Sequence, residues 1–376
     1  MDIEKTLSLW LKIPHRKFSR ESAVENESIT CDCSGFINLL FDQHNIPLPY
    51  QIDRPQAVHY FSVLQEIGSN RIDNIKEGHL FAWRKDQLPK KGDTGHVLVT
   101  RGLPVKIDEF TYRVPIIDST KKENGLSQRN IELQTDKHGK IIGVRWHLDE
   151  TKIKRTAIYH QSITESRYCF GCGLPRKVCR CGSIKPLLDI PPIIILRHPN
   201  ERRRTLSTVS LIKQRYPNVL VKEGEIFSPV RASDLSLLFP DIGPNHFNPS
   251  NIINTKKTER QVDQAGSDKT KNFILIDATW RKSKKILHLN KWLKGLPKTT
   301  VKPTKVSNYL IRKVSSTEEL SSIETFSWIM NDQALNRMFS DFIEHQITKM
   351  GKSTYDKNYK EMINYSKNTG QAVSTK

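Results

Sequence analysis

The sequence predicts two domains, an α+β domain followed by an α/β domain with a largely parallel sheet. The chain has 376 residues, more than one ordinary domain needs. Short apolar strands follow one helical pattern in its first half, whereas apolar runs alternate with helical patterns in its second half. The charge changes at the same place, with 24 basic against 21 acidic residues over 1–160 and 36 against 19 thereafter. Length, periodicity and charge therefore agree on a division.

The predicted elements follow this division. In the first half we expect a helix over 34–44 and strands over 79–83, 95–101, 112–119 and 143–148. In the second half we expect strands over 191–199, 218–223, 235–239 and 273–280, a helix over 205–216, and one long helix over 322–350. The predicted domains are 1–160 and 165–350, with a surface insertion at 248–272 and a basic flexible tail at 351–376.

Composition restricts the class of protein. Hydrophobic residues make up 36% and charged residues 27%, which is typical of a globular chain. No apolar run approaches the roughly 20 residues that span a bilayer, and the first residues lack the pattern of a secretory signal, so we expect no membrane partner and a cytoplasmic location. The net charge of +20, concentrated in the second half, favours a polyanion partner, with nucleic acid first.

Four cysteines lie within thirteen residues, in the pattern C-x2-C-x6-C-x-C. Cys169, Cys172, Cys179 and Cys181 have the spacing of a tetrahedral zinc site, and an all-cysteine shell leaves no open position for catalysis. Free or disulfide-bonded thiols are the alternative, which a reducing compartment disfavours. The sequence therefore predicts a structural zinc knuckle over 169–181. Chelation is expected to destabilise the second half and to leave the first half folded.

Three stretches of the second half carry candidate chemistry. LRHPNERRRTLST (196–208) places His198 and Glu201 between a strand and a helix, where backbone N–H groups bind anions. FILIDATW (273–280) ends a buried strand on Asp277, and ELSSIETF (319–326) begins a helix. Each stretch has a structural alternative. In that alternative Asp277 caps a helix, Trp280 belongs to the core, and the three consecutive arginines (202–204) form a solvated face.

Together these motifs resemble the DTW-domain proteins, the tRNA-uridine aminocarboxypropyltransferases, over about residues 165–347. The resemblance is carried by the four cysteines, His198-Pro-Asn-Glu201 with Thr208, Asp277-Ala-Thr279-Trp280, Tyr309-Leu-Ile-Arg312 and Leu320-Ser-Ser322-Ile-Glu324. Ser322 stands where the family usually has threonine. The resemblance implies a fold related to SPOUT methyltransferases, S-adenosylmethionine as the donor, and transfer of its 3-amino-3-carboxypropyl group to N3 of a tRNA uridine.

The resemblance also implies roles for residues. Asp277 is the candidate general base for N3 of uridine. The implied cofactor-binding set is His198, Glu201, Thr208, Asp277, Thr279, Trp280, Ser322 and Glu324, in which Glu201 or Glu324 holds the amine and Trp280 stacks on a base or on adenine. The implied RNA-binding set is Arg202, Arg203, Arg204 and Arg312, which hold the carboxylate of the donor or the tRNA backbone.

The first half contains a second candidate site. Cys33 begins a helical pattern, where a helix N-terminus is expected to lower its pKa, His96 opens a strand, and Asp118 ends another. That order is typical of a nucleophile, a base and an orienting group. A buried cysteine beside an ordinary histidine is the alternative. DCSGF, GHLFAW, TGHVLV, IIDST and GLSQRNIEL resemble the NlpC-type papain-like cysteine hydrolases over about residues 20–148.

This second resemblance implies amide or ester hydrolysis, or acyl transfer, on a substrate that the sequence does not name. The two halves together predict a bifunctional tRNA-modifying enzyme. One alternative is an RNA-binding adaptor, a zinc knuckle plus a basic domain, that delivers a cysteine hydrolase to a ribonucleoprotein. Another is a cysteine hydrolase whose second half is degenerate. The two hypotheses differ in the cofactor: the enzyme must bind S-adenosylmethionine, and the adaptor need not.

Overall fold

Contacts between residues divide the chain into two units, Met1–Pro186 and Leu187–Lys376. The computed structural model describes residues 2–85, 89, 92–151, 153–188, 193–202, 207–230, 235–238, 272–299, 307–311 and 320–359. The predicted insertion at 248–272, apart from Asn272, lies outside these ranges, as do Arg203, Arg204 and Arg312. The boundary predicted near residue 160 comes earlier in the chain than the division between the two units.

The first unit is α+β. Its helices are α1 (Ile3–Trp10), α2 (Cys33–Gln43) and α3 (Ala57–Ile67). Its strands are β1 (His15–Lys17), β2 (Ala23–Val24), β3 (Ser28–Thr30), β4 (His79–Arg84), β5 (Gly95–Thr100), β6 (Val105–Lys106), β7 (Thr111–Thr120), β8 (Gly125–Thr135), β9 (Ile141–Arg145), β10 (Lys154–Arg155) and β11 (Tyr159–Ser162). The helix and the four strands predicted for this half are therefore present.

An antiparallel sheet forms the centre of the first unit. Its strands lie in the order β10-β9-β8-β7-β5-β4-β11, and β6 pairs with β7. Helices α2 and α3 pack against β5, so their apolar side chains and one face of the sheet share a core. Two of the sheet's longest pairings, β7 with β8 and β4 with β5, place Asp118 and His96 in buried strands.

The second unit contains the predicted parallel sheet. Its strands are β12 (Ile193–Arg197), β13 (Leu220–Glu223), β14 (Leu235–Leu238), β15 (Asn272–Asp277) and β16 (Lys298–Thr299), in the order β13-β12-β15-β14-β16. All four pairings are parallel. The carboxyl ends of these strands therefore lie along one edge, which is where ligands bind in open α/β sheets.

The helices of the second unit differ from the prediction at one point. They are α4 (Val209–Arg215), α5 (Trp280–Leu289), α6 (Lys291–Lys294), α7 (Ser322–Ile329) and α8 (Gln333–Met350). The single helix predicted over 322–350 is wrong, because the chain leaves helical geometry at Asn331, whose φ is +48°. Asp332 then caps α8 by accepting hydrogen bonds from the backbone N–H groups of Ala334 and Leu335 at 3.0 and 3.1 Å.

The structure describes only the first part of the segment predicted as a basic flexible tail, 351–376. Residues 352–359 are helical, and the Tyr355 side chain is buried, which gives this segment an apolar anchor. Residues 360–376 lie outside the described ranges. Over the described residues, no helix is long and apolar enough to cross a membrane.

The cysteine-rich segment packs within the first unit, although the sequence places it at the front of the second domain. Phe170 is buried in the core of the first unit, with its ring 5.3 Å from that of Phe41 on α2. The backbone N–H of Tyr50 donates to the carbonyl of Gly171 at 2.6 Å. A Cβ at Gly171 would lie 2.6 Å from the Cys181 sulfur and 2.9 Å from Pro47, so only glycine fits this approach.

Candidate functional site

The carboxyl ends of β12 and β15 bring two of the sequence motifs together. The strands are neighbours in parallel register, with Arg197 opposite Asp277. Beyond the strand end, the backbone N–H of His198 donates to the carbonyl of Asp277 at 3.1 Å. Both His198 and Asp277 therefore lie at the edge of the sheet, as the sequence predicts.

The third motif reaches the same place through a side chain. Ser322 is the first residue of α7, and its hydroxyl donates to a carboxylate oxygen of Asp277 at 2.8 Å. Asp277 and Ser322 are both partly exposed, so the pair can meet a ligand. The serine that stands where the family usually has threonine keeps the hydroxyl that this contact needs.

The His198 side chain stabilises the turn at Pro199–Glu201 and is not free to act as a base. Its Nδ1 accepts from the backbone N–H of Asn200 at 3.1 Å, which leaves Nε2 to donate to Glu225 at 2.8 Å. Glu225 also lies 2.7 Å from Lys285, and Lys285 followed by His198 lowers the pKa of the Glu225 carboxyl. Sequence reasoning missed Glu225, although its place just after the strand β13 could have indicated it.

The other predicted residues near this edge have structural partners. Glu201 accepts from Lys282 at 3.1 Å, and Arg202 is buried with its Nε 3.8 Å from Glu223. Thr208 and Thr279 are the residues that precede α4 and α5. Trp280 is partly buried against the apolar cluster of the second unit. Arg202 thus faces a carboxylate inside the fold, not an exposed RNA surface.

Glu324 stabilises a helix start and a neighbouring turn. Its carboxylate accepts from the Ser321 N–H and hydroxyl at 2.9 and 2.6 Å, from the Ser307 hydroxyl at 2.9 Å, and from the Asn308 N–H at 2.7 Å. This is a capping box extended to a second segment of the chain. Both carboxylate oxygens already have protein donors, so a role in holding the cofactor stays a prediction.

Replacing Glu324 with alanine is expected to lower the free energy of unfolding by about 3 kcal/mol, because several buried donors lose their acceptor. Chemical denaturation measures this change. The matched control is Glu344→Ala, an exposed carboxylate on α8, which should leave stability within about 0.5 kcal/mol. Loss of S-adenosylmethionine binding with unchanged stability would contradict the structural role.

The four cysteines form one cluster that could hold a metal ion. Their sulfur atoms all lie within 4.8 Å of one another, with Cys169 3.5 Å from Cys181 and Cys172 3.7 Å from Cys179. Tetrahedral zinc with bonds of about 2.3 Å places its sulfur ligands about 3.8 Å apart. The donor set and spacing fit a structural zinc.

In the first unit, α2 and two strands bring the second candidate set together. His96 on β5 and Asp118 on β7 are buried, and His96 Nε2 lies 2.8 Å from Asp118 Oδ2. Cys33 is the first residue of α2, which packs on β5, and the backbone of Val97, the residue after His96, is close enough to oppose the rise in the pKa of Cys33. The fold therefore places all three predicted residues in one region.

Sequence reasoning missed the residues that surround Asp118. Arg129 on β8 contacts both carboxylate oxygens, with Nε 3.1 Å from Oδ1, and the Trp146 indole N–H donates to Oδ2 at 3.1 Å. The Trp146 ring lies 4.2 Å from the His96 ring. Burial opposes ionisation, but the hydrogen bonds and charges of His96 and Arg129 prevail and lower the pKa of Asp118 to about 2. Asp118 is therefore a carboxylate at neutral pH.

The thiol differs from the expectation for a helix N-terminus. Burial raises the pKa of Cys33, and the carboxylate of Asp32, the N-cap of α2, raises it further. These effects outweigh the helix dipole, which is worth at most about 2 kcal/mol. Burial likewise raises the pKa of Cys31 to about 12. The expected lowering of the Cys33 pKa is therefore wrong, and a reaction at this sulfur needs a base to remove its proton.

Comparison with known proteins identifies the class of the second unit. The family described as "DTW domain" matches residues 166–362, just over half of the chain, and the chain belongs to this family. No solved structure matches the chain significantly.

Two mammalian relatives and one insect relative carry the description "tRNA-uridine aminocarboxypropyltransferase 2". The protein of Mus musculus is 34% identical over 160 residues, 42% of this chain and 53% of its own length. That of Macaca fascicularis is 30% identical over 161 residues, with 42% and 53% covered. That of Drosophila melanogaster is 27% identical over 176 residues, with 42% and 62% covered. The chain thus spans about half the length of the curated relatives it matches.

Proposed function

We propose that the second unit transfers the 3-amino-3-carboxypropyl group of S-adenosylmethionine to N3 of a tRNA uridine. The observation that carries this proposal is the meeting of Asp277 with Ser322 at the carboxyl edge of a parallel sheet, within a DTW domain. The names of the curated relatives support the same reaction. The parallel sheet also agrees with the proposed relation to SPOUT methyltransferases.

The reaction needs a base, an aligned nucleophile and a leaving group. The Asp277 carboxylate accepts the N3 proton of uridine, and the Ser322 hydroxyl fixes the orientation of that carboxylate. The uridine N3 then forms a bond to the terminal CH2 carbon of the aminocarboxypropyl arm, while the bond from that carbon to sulfur breaks. The products are the modified uridine, 5′-methylthioadenosine and the proton on Asp277.

Positioning falls to the residues around the same edge. Glu201 is proposed to hold the amine of the donor, in exchange for part of its contact with Lys282. Trp280 keeps one part of its ring in the core and is partly exposed, so it can stack on a base or on adenine. The four cysteines are proposed to hold a structural zinc that takes no part in the chemistry.

The direct test uses purified protein, tRNA that lacks the modification, and S-adenosylmethionine. The tRNA is digested to nucleosides, and mass spectrometry detects 3-(3-amino-3-carboxypropyl)uridine. Its formation in step with 5′-methylthioadenosine supports the proposed reaction. Absence of the nucleoside, with no binding of S-adenosylmethionine by calorimetry, would favour an RNA-binding adaptor that lacks this activity.

A second function is proposed for the first unit because His96 and Asp118 form a buried pair at 2.8 Å beside the helix that Cys33 begins. We propose a papain-like cysteine hydrolase of the NlpC type, acting on an amide or ester. Asp118 orients His96, His96 takes the thiol proton, and the Cys33 sulfur attacks the carbonyl carbon. The C–N or C–O bond then breaks as His96 returns the proton to the leaving amine or alcohol, and water hydrolyses the resulting thioester to the acid and the free Cys33 thiol. The amino acid-like group installed by the second unit, or an amide made from it, is one candidate substrate.

The proposed removal of the Cys33 proton by His96 predicts how Cys33 reacts with an electrophile. Because its pKa is raised, we expect the rate of labelling by iodoacetamide to keep rising above pH 9, without a plateau near neutrality. Replacing His96 with glutamine is expected to slow labelling at pH 7.5 by about a hundredfold, since the base is lost. Peptide mapping by mass spectrometry measures the rate at Cys33.

The matched control is His138→Gln, which changes an exposed histidine of the same unit. It should label at the wild-type rate. Equal labelling of the His96 and His138 variants would contradict the arrangement, and a plateau between pH 5 and 7 would contradict the raised pKa of Cys33. Activity is sought with a panel of fluorogenic amides and esters, and Cys33→Ser should abolish any hydrolysis that the wild-type protein shows.

A further inference from the structure

Helices α5 and α6 carry a run of basic residues without an acidic one. From Trp280 to Thr299 the sequence contains seven lysines and arginines and no aspartate or glutamate. Ser283 and Ile286 are the buried residues of α5, and they share one face of the helix. Arg281, Lys284 and His288, spaced three and four residues apart, lie together on the opposite, exposed face.

Six of the seven basic residues of this segment fall into two sets. Lys282 and Lys285 contact the carboxylates of Glu201 and Glu225, which belong to the edge of the sheet. The second set is exposed, and among the residues that the structure describes none of its members forms an ion pair; it consists of Arg281, Lys284, Lys291 and Lys294. We call this second set the α5–α6 basic face. Its positive charge is available to a partner.

The position of this face links it to the proposed reaction. Helix α5 begins at Trp280, three residues after Asp277, and its Lys285 binds Glu225, the carboxylate that also contacts His198. One helix therefore contacts the candidate site on one side and presents uncompensated charge on another. Arg202, which the sequence suggested for RNA, is buried against Glu223 and cannot supply that charge.

We infer that the α5–α6 basic face binds the phosphate backbone of the tRNA and directs a uridine toward Asp277. This inference rests on the proposed function and names the surface that the sequence did not identify. Lysine and arginine side chains bind phosphates by releasing counterions, and such contacts set register without reading the base sequence. A folded RNA fits this surface better than a membrane, because the exposed face of α5 carries Arg281, Lys284 and His288, and of the large apolar residues of α5 only Leu289, at its end, is exposed.

The test is a fourfold variant, Arg281→Ala, Lys284→Ala, Lys291→Ala and Lys294→Ala. Alanine preserves helix propensity, so the fold should be retained. We expect the Kd for tRNA, measured by filter binding at 100 mM salt, to rise at least about tenfold. The slope of log K against log salt should fall by about 3, because four phosphate contacts are lost. Calorimetry should show unchanged binding of S-adenosylmethionine.

The matched control removes four exposed lysines from the first unit: Lys12, Lys106, Lys137 and Lys140. It causes the same change in net charge, so it separates a local contact from the total charge of the chain. Equal affinity and equal salt slopes for the two variants would overturn the inference. So would a fourfold α5–α6 variant that modifies tRNA with wild-type KM.

The binding test distinguishes failure of the surface from failure of the reaction. A wild-type protein that forms the modified uridine while the variant still binds tRNA normally would refute the surface alone. A wild-type protein that binds tRNA through this face but yields no modified uridine would refute the reaction alone. A wild-type protein that binds no tRNA would refute both.

Discussion

Asp277→Asn is expected to lower the rate of the proposed aminocarboxypropyl transfer by about a thousandfold, since a positioned general base contributes about a hundredfold to ten-thousandfold. The amide has nearly the same shape as the carboxylate, so the Ser322 contact can persist while the proton acceptor is lost. Binding of tRNA should stay within about threefold of wild type, because it does not depend on proton removal. Single-turnover formation of the modified uridine measures the loss.

Two further variants give this experiment its controls. Ser322→Ala should reduce the rate by about tenfold, the value of one hydrogen bond to a charged group. Ser322→Thr, which keeps the hydroxyl, should restore it. Glu344→Gln removes an exposed carboxylate of the same unit and should change nothing. If Asp277→Asn retains more than about a tenth of the wild-type rate, Asp277 is not the base.

Removal of the zinc proposed for the four-cysteine cluster is expected to destabilise the first unit, where the cluster packs. Phe170 lies between two of the cysteines in the sequence and contacts Phe41 on α2, so loss of the metal should loosen the helix that begins with Cys33. Structural zinc sites contribute folding energy directly. We expect Cys172→Ser to lower the Tm of this unit by about 10 °C, which corresponds to a loss of a few kcal/mol.

Hydrogen exchange followed by mass spectrometry locates this effect. Peptides from α2 and from residues 168–181 should exchange faster after complete chelation, while peptides from the five-stranded sheet serve as the internal reference. The matched control is Cys31→Ser, a buried cysteine outside the cluster, which should not alter metal content. Unchanged protection of α2 in the metal-free protein would contradict the prediction. This expectation reverses the one drawn from the sequence, which assigned the effect to the second half.

The elements of the sheets were predictable because their apolar patterns are strong. Buried runs such as Ile193–Arg197 and Asn272–Asp277 have few other ways to hide their side chains, and their polar ends identified His198 and Asp277. The break between α7 and α8 was not predictable from apolar spacing, which continues across it. It depends on the positive φ of Asn331 and on the cap at Asp332.

The residues that contact the site residues could not be predicted from the sequence, for a different reason. Arg129 reaches Asp118 because β7 and β8 pair in one particular register, and Ser322 reaches Asp277 across 45 residues of chain. Such contacts depend on tertiary structure, which spacing along the chain does not contain. The pKa of Cys33 was misjudged likewise, since its burial and the nearby Asp32 oppose the helix dipole. Composition nevertheless indicated a polyanion partner, and the α5–α6 basic face is the site proposed for it.

The place of Phe170 has a practical consequence for anyone who divides this chain. The family match begins at residue 166, yet the aromatic ring at 170 is covered by α2, more than a hundred residues earlier in the sequence. A fragment cut at the start of the match would carry that ring, and the half-covered Tyr168, into water. Such a fragment should aggregate on expression. A fragment that starts at Leu187 would instead leave Tyr168 and Phe170 in the first unit, where their neighbours cover them.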